Sequence, residues 1–137
     1  LGGILVPHSK GALGHSDADV LIHVICDALL GAANLRDIGF HFPDTDPAYK
    51  GIDSKKLLRE TMKLIREKGW ELGNVDSTIV LQQPKINPHI LAMRACLAEV
   101  MGVEEDQISI KATTNEKMGY LGREEGIAAF ASILIVA

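Results

Sequence analysis

Residues 16–33 read Ser-Asp-Ala-Asp-Val-Leu-Ile-His-Val-Ile-Cys-Asp-Ala-Leu-Leu-Gly-Ala-Ala, and they predict the first long helix of the chain. Apolar side chains recur there at spacings of three and four residues, which is typical of a helix with one buried face. Ser16 is placed to cap this helix, and Asp17 and Asp19 suit the positive end of its dipole. An amphipathic helix beginning at Ser16 is therefore expected.

The rest of the chain alternates between strand and helix patterns around this first helix. Strands are predicted at residues 4–6, 75–81, 108–112 and 127–136, and further helices at 54–68 and from Asn87–Pro88 to Gly102. Residues 34–49 form a polar loop with two prolines and two aspartates close together. This order predicts an α/β (α+β) fold, one sheet with helices on one face. The sheet looks one strand short at its beginning.

Length and composition limit the classes of protein that this chain can represent. Its 137 residues suffice for one core, and the 14 basic against 18 acidic residues give a net charge of −4. No cationic block supports general nucleic-acid binding, and no apolar run approaches the roughly 18 residues of a membrane span. Cys26 and Cys96 stand 70 residues apart in helical patterns, as expected of thiols in a reducing compartment.

A stripe of polar residues runs along the predicted first helix. His15, Asp19, His23 and Asp27 are spaced four residues apart, so a helix brings them to one face. The stripe contains only histidine and aspartate, the residue types that bind metals and transfer protons. A solvated helix face is the alternative interpretation, although such faces usually carry lysine and glutamate as well.

Three further polar clusters lie in predicted loops or at strand ends. They are Asp37 just after the first helix, Asp44 with Asp46 in the proline-flanked loop, and residues 111–117 at the end of a strand. Residues 82–89 form a loop with two prolines, whose fixed backbone suits the edge of a planar ligand. The residues alone therefore favour metal-assisted phosphate or diphosphate chemistry, without a Walker or dinucleotide-binding glycine motif. Turn-forming aspartates and an ordinary polar strand exit are the alternative.

Several motifs together resemble those of one known family. In chain order they are His15-Ser16-Asp17-Ala18-Asp19-Val20 with His23, then residues 27–33, 37–39, 42–47, 73–76, 84–85, 88–89 and 111–117. This pattern is similar to that of the 2-C-methyl-D-erythritol 2,4-cyclodiphosphate synthases, enzymes of the non-mevalonate isoprenoid pathway. The resemblance covers nearly the whole chain and implies a single catalytic domain over residues 1–137.

The resemblance implies a specific reaction. 4-Diphosphocytidyl-2-C-methyl-D-erythritol 2-phosphate would be cyclised by in-line attack of its 2-phosphate on the β-phosphorus, with release of CMP. Two divalent cations are implied, Zn²⁺ and either Mg²⁺ or Mn²⁺. His23 corresponds to a zinc ligand, and Glu116 corresponds to the ligand of the second cation.

The resemblance also implies the site residues, through their places in the motifs. His15 and Thr114 correspond to the transition-state stabilisers and are the predicted catalytic residues. Residues 37–39 correspond to ribose contacts, residues 42–46 to the methylerythritol end and residues 81–87 to cytosine contacts. The full set of implied substrate contacts is His15, Ser16, Asp37, Ile38, Gly39, Phe42, Pro43, Asp44, Thr45, Asp46, Leu81, Gln82, Gln83, Pro84, Lys85, Ile86, Asn87, Thr113, Thr114, Asn115, Glu116, Tyr120 and Arg123.

The implied assembly is a homotrimer with a ferredoxin-like arrangement and active sites between adjacent subunits. The apolar last predicted strand suits a three-fold interface. An Asp-x-His pair that completes the zinc site would lie upstream of Leu1, so we expect a further segment there. The implied location is the bacterial cytoplasm, or a plastid-type compartment if that segment includes a transit peptide. Phe130 replaces a family acidic residue near the central cavity, so regulation by isoprenoid diphosphates is not carried over.

Two other classes of function are compatible with the same residues. A metal-dependent phosphodiester hydrolase would use the His/Asp stripe but would need a base that activates water. A trimeric ligand-binding module would need no chemistry, and it predicts that His15→Ala and Thr114→Ala leave function intact. Products from the cytidylyl substrate distinguish the first alternative, and turnover of these two variants distinguishes the second.

Overall fold

The computed structural model describes residues 1–4, 19–43, 45–48, 52–82, 85–114 and 127–137. Within these ranges the helices are α1 (Val20–Ala32), α2 (Ile38–His41), α3 (Ser54–Glu67) and α4 (Ile90–Met101), and the strands are β1 (Glu71–Val80), β2 (Ile108–Thr113) and β3 (Ala128–Val136). Short 3₁₀ turns at Asn87–His89 and Glu105–Gln107 precede α4 and β2. The predicted mixture of helices and strands is confirmed. Most of the predicted first strand, residues 5 and 6, lies outside the described residues.

The three described strands form a mixed sheet in the order β2-β1-β3. β1 pairs in parallel with β2, with Val80 opposite Thr113, and antiparallel with β3, with Asp76 opposite Ser132. Because a parallel pair needs a crossover, α4 connects β1 to β2 and packs against the sheet. The parallel pairing therefore brings the carboxyl ends of β1 and β2 to one edge of the sheet.

The core lies between one face of this sheet and the helices. The largest fully buried side chains are Leu1, Leu21, Ile22, Ile25, Leu29, Leu30, Leu58, Met62, Ile65, Ile79, Met93 and Leu97. All of them except Leu30 belong to one cluster, and α1 and α3 also pack against each other. No described helix is long and apolar enough to cross a membrane. Cys26 is buried in this core and Cys96 is half-buried, and both are free thiols.

Helix α1 begins later than its sequence pattern predicts. Its N-cap is Asp19, which has an extended backbone (φ −76°, ψ 94°) and accepts a hydrogen bond from the amide of Ile22. The prediction that Ser16 caps the helix is therefore wrong, because Asp19 already satisfies the free amide of the first turn. Ser16 itself lies outside the described residues.

Strand β1 begins four residues before its predicted start at Val75. Asn74 pairs with Leu134 of β3, and Gly73 is the extra residue of a bulge between Leu72 and Asn74. A Cβ atom built on Gly73 would lie 2.9 Å from the backbone oxygen of Leu134. The glycine is thus needed for close approach of two strands rather than for a turn.

Candidate active site

Residues of the predicted nucleotide-binding loop and of the strand exit meet in one cleft. The cleft has a volume of about 60 Å³ and is lined by Leu81, Lys85, Ile86, Asn87, Ala112, Thr113 and Thr114. It forms because the parallel strands β1 and β2 end side by side, and the amide of Leu81 donates to the oxygen of Thr113 over 3.0 Å. Six predicted site residues are thereby brought together: four from residues 81–87, and two, Thr113 and Thr114, that come about thirty positions later in the chain.

The cleft has an apolar floor and a polar rim. Leu81 and Ile86 are buried, whereas Lys85, Asn87 and Thr113 are exposed. Small-molecule sites commonly combine an apolar surface with a few convergent polar groups in this way. The arrangement suits a flat ligand that stacks on the floor and uses hydrogen bonds at its edge. Gln82 is half-buried beside this loop.

His23 lies in the first turns of α1, at a second location. Its ring is half-buried, and its Nε2 atom lies 3.2 Å from the hydroxyl of Ser54, the first residue of α3. The described residues contain no cluster of three or more histidine, cysteine, aspartate or glutamate side chains that would hold a metal ion. His23 can contribute one ligand, so these residues do not complete the predicted zinc site, and no chemical step is derived through it.

The predicted His/Asp stripe does not form a row of free ligands. Asp19 is fully buried and its carboxylate accepts hydrogen bonds from backbone amides. Asp27 is exposed, but it accepts a hydrogen bond from the amide of Ile38 over 2.9 Å. The expectation that these carboxylates serve metal or proton chemistry is wrong for Asp19, because helix and turn amides occupy both of its oxygens. His15, the remaining member, lies outside the described residues.

Residues 37–39 form the start of α2, a short helix within the loop that the sequence predicts. Asp37 is its N-cap and accepts a hydrogen bond from the amide of Phe40 over 3.0 Å. Ile38 is held by Asp27, and Gly39 is exposed. Two residues before the helix, Asn34 (φ 56°) and Arg36 (φ 74°), adopt the left-handed conformation that non-glycine residues rarely take. Asn34 ends α1 in this way, since the amides of Asn34 and Leu35 donate to the oxygens of Gly31 and Leu30.

The segment after α2 forms a turn, as predicted for a proline-flanked loop. The amide of Phe42 donates to the oxygen of Ile38, and that of Asp46 donates to the oxygen of Pro43 over 3.0 Å. The carboxylate of Asp46 accepts a hydrogen bond from the amide of Ala48, and Thr45 is exposed. Asp46 therefore acts at least partly as a turn residue, which was the alternative interpretation of this aspartate.

The described site residues fall into two groups. One group lies on α1, α2 and the following turn, and the other lines the cleft at the ends of β1 and β2. No residue of α1 or α2 lines that cleft. The remaining predicted site residues lie outside the described residues, namely His15, Ser16, Asp44, Gln83, Pro84, Asn115, Glu116, Tyr120 and Arg123.

Sequence reasoning missed Ser54, whose hydroxyl contacts His23, and it named Asp27 without predicting that its carboxylate holds α2. The i, i+4 spacing places Asp27 on the same helix face as His23, which is a usable signal. Ser54 gives no such signal, because only tertiary packing brings α3 to α1.

Comparisons with known proteins agree with this geometry. The profile of the YgbB family matches residues 1–136. A 2-C-methyl-D-erythritol 2,4-cyclodiphosphate synthase from Parabacteroides distasonis is 67% identical over 135 residues, which cover 98% of this chain and 84% of the relative. The synthase of the same name from Azotobacter vinelandii is 60% identical over 137 residues, with 100% and 87% coverage.

Solved structures show the same similarity in three dimensions. The bifunctional IspDF from Campylobacter jejuni superposes with a TM-score of 0.90 at 41% identity, and the match covers 98% of this chain and 36% of that one. A 2C-methyl-D-erythritol-2,4-cyclodiphosphate synthase in its CDP-bound form gives 0.88 at 37% identity, with 98% and 87% coverage. The chain thus belongs to the YgbB family. The relatives named above, to which it is similar, are 2-C-methyl-D-erythritol 2,4-cyclodiphosphate synthases.

Proposed function

We propose that this protein cyclises 4-diphosphocytidyl-2-C-methyl-D-erythritol 2-phosphate to 2-C-methyl-D-erythritol 2,4-cyclodiphosphate with release of CMP. It is then a phosphorus–oxygen lyase of isoprenoid precursor biosynthesis. The observation that carries this proposal is the cleft in which the 81–87 loop meets Thr113 and Thr114. Support comes from the synthases that are more than 60% identical to this chain and from a similar structure that holds CDP.

The cleft is the proposed cytosine subsite. The buried side chains of Leu81 and Ile86 would support the base, and backbone groups of residues 81–87 would read its edge. Lys85, exposed at the rim, would add a positive charge close to the nucleotide. Thr114 would donate its hydroxyl to a phosphate oxygen that gains charge in the transition state.

The α1–α2 region is the proposed site of the ribose, the methylerythritol and the reacting phosphates. Asp37 would accept hydrogen bonds from the ribose hydroxyls, near the exposed Gly39, and residues 42–46 would line the methylerythritol end. His15 and Ser16, which precede the N-terminus of α1 in sequence, would contact phosphate oxygens, and this end of the helix favours negative charge. These groups would hold the 2-phosphate in line with the β-phosphorus.

The remaining proposed contacts extend the site on both sides. Gln83, Pro84 and Asn115 would complete the nucleotide half, and Tyr120 and Arg123 would contact the substrate further along. His23 would hold Zn²⁺, and Glu116 would hold Mg²⁺ or Mn²⁺. These cations would neutralise phosphate charge when bound. The nucleotide half and the phosphate half would together bury the substrate.

The two halves are proposed to come from adjacent subunits of a homotrimer with a ferredoxin-like arrangement. Within one chain, no residue of α1 or α2 lines the cleft. The face of β3 away from the helices exposes Phe130 (62%), Leu134 (59%) and Val136 (44%), an apolar surface of the kind that marks an interaction site. A second copy that covers this surface would bring its own α1–α2 region to the cleft of the first copy.

The bacterial cytoplasm is the proposed location. It fits the two free thiols, Cys26 and Cys96, and the bacterial relatives.

Incubation with the cytidylyl substrate, Zn²⁺ and Mg²⁺, followed by ³¹P NMR of the products, tests the proposed reaction. We expect equal amounts of CMP and a cyclic diphosphate. CMP with a linear phosphate product would instead indicate a hydrolase. His15→Ala and Thr114→Ala should each lower kcat by about 10²-fold or more while the far-UV circular dichroism stays unchanged. Wild-type binding of the nucleotide without any turnover would support a ligand-binding module.

A further inference from the structure

The carboxylate of Asp19 joins two segments of the chain that are far apart in sequence. Its Oδ1 atom accepts hydrogen bonds from the amides of Gly2 (3.0 Å) and Ile22 (3.1 Å), and its Oδ2 atom accepts one from the amide of Gly3 (2.8 Å). The side chain is fully buried. A buried carboxylate would be costly without such donors, and three amides together with the helix N-terminus stabilise its charge.

The glycine turn is held firmly on its other side. Gly2 and Gly3 have φ values of +59° and +82°, which disfavour any side chain. Added Cβ atoms would lie 2.6 Å from Cγ of Met93 and 2.5 Å from Sγ of Cys96, both on α4. The turn therefore lies directly against α4 with its amides directed at Asp19. Through Asp19, the position of α4 is coupled to the start of α1.

The first turn of α1 transmits this coupling to His23. The amide of His23 donates to the backbone oxygen of Asp19 over 3.0 Å, so the two residues share one turn. The imidazole then reaches the buried Ser54 at the start of α3. The direction in which His23 points thus depends on where Asp19 places the end of the helix.

We propose that Asp19 is a positioning residue of the active site: its carboxylate ties the Gly2–Gly3 turn to the first turn of α1 and thereby orients His23. Asp19 is buried by the protein's own backbone and acts only through its neighbours, so it is not a catalytic residue. This inference rests on the proposed function, in which His23 and the start of α1 face the phosphates. Its experiment is chosen so that the two can fail separately.

Asp19→Asn is the sharpest variant. The remaining Oδ1 atom can still accept from Ile22 and Gly2, which keeps the helix cap, whereas the new NH₂ group cannot accept from the amide of Gly3. Asp53→Asn is the matched control, because Asp53 is the exposed N-cap of α3 and accepts a single hydrogen bond from the amide of Lys55. Asp19→Ser is the second variant; its hydroxyl can cap the helix but is too short to reach the glycine turn.

Three measurements are made on the wild type and the variants at a temperature well below each melting transition. They are kcat for the cyclisation, the dissociation constant of CMP, and the ring ¹⁵N chemical shifts of His23 without added metal. We expect Asp19→Asn to lower kcat about tenfold or more and to shift the His23 ring resonances, with CMP affinity unchanged. Asp53→Asn should change none of the three.

Unchanged His23 resonances and unchanged kcat in both Asp19 variants would overturn the proposal. Equal losses of kcat and CMP affinity would overturn it as well, because they would indicate a general structural role. If Asp19→Asn does not fold, Asp19→Ser decides between the same outcomes. If neither variant folds, Asp19 is required for folding, and the proposal is overturned as well. A wild-type protein that does not catalyse the cyclisation would refute the proposed function only. The His23 resonances would still test whether Asp19 positions His23.

Discussion

Leu134→Asp on β3 should dissociate the proposed trimer into folded monomers. In the isolated chain 59% of the Leu134 side chain is exposed, so its role in the core is small. Full burial of a leucine stabilises by about 1.5–3 kcal/mol, and covering the exposed part would contribute roughly 1–2 kcal/mol per subunit. An aspartate at the same position would add a desolvation cost of several kcal/mol when it is covered by a second copy. The lost burial energy and the added desolvation cost both favour the separated monomers.

Multi-angle light scattering with size-exclusion chromatography measures this directly. The wild type should elute with the mass of three chains and the variant with the mass of one, and cyclase turnover should disappear with the trimer. Leu91→Asp is the matched control, because Leu91 is 70% exposed on α4 and lies outside the β3 surface. A Leu134→Asp protein that remains trimeric and fully active would refute the reasoning about this surface.

Three further perturbations test the fold and the cleft. Gly73→Ala places a Cβ 2.9 Å from the oxygen of Leu134, so urea unfolding should show a loss of about 1–3 kcal/mol, and an unchanged midpoint would contradict the close strand approach. Ile86→Ala removes the floor of the cleft, and isothermal titration should show CMP binding weakened about tenfold; unaltered affinity would place the base elsewhere. Burial raises the pKa of the Cys26 thiol to about 12 against an ordinary 9.0, so this thiol should resist iodoacetamide at pH 9 in the native protein. Since the folded state favours the neutral thiol, this contribution to stability is complete below pH 9 and should fall as the pH rises towards 12.

Elements with strong periodicity were predictable, and those set by tertiary contacts were not. The apolar spacing of α1 and the alternation of β2 each identified an element, because burial on one face imposes that period. The start of α1 was wrong because the partners that make Asp19 the better cap, Gly2 and Gly3, are remote in sequence. The start of β1 before Val75 was not predicted, because the constraint on Gly73 comes from a neighbouring strand.

The candidate site shows the same division. The double-proline loop and the polar strand exit were visible in the sequence, and the parallel pairing of β1 with β2 then places Leu81 beside Thr113. The spacing of Asp19 and Asp27 suggested one helix face, but Asp19 is the buried N-cap and Asp27 is exposed, and both carboxylates bind backbone amides. Residue type and spacing describe what a group can do, whereas packing decides which partner it meets.

Subunit mixing tests the central claim most directly, that one cyclising site is built from two adjacent subunits. Asp37→Ala disables the proposed ribose half, and Thr114→Ala disables the proposed nucleotide half. When the two inactive proteins are unfolded, mixed in equal amounts and refolded, random assembly restores an intact pair of halves at about a quarter of the interfaces. The account predicts that cyclic diphosphate and CMP then appear at roughly that fraction of the wild-type rate, as followed by ³¹P NMR. A mixture that stays as inactive as its separate components would contradict the account.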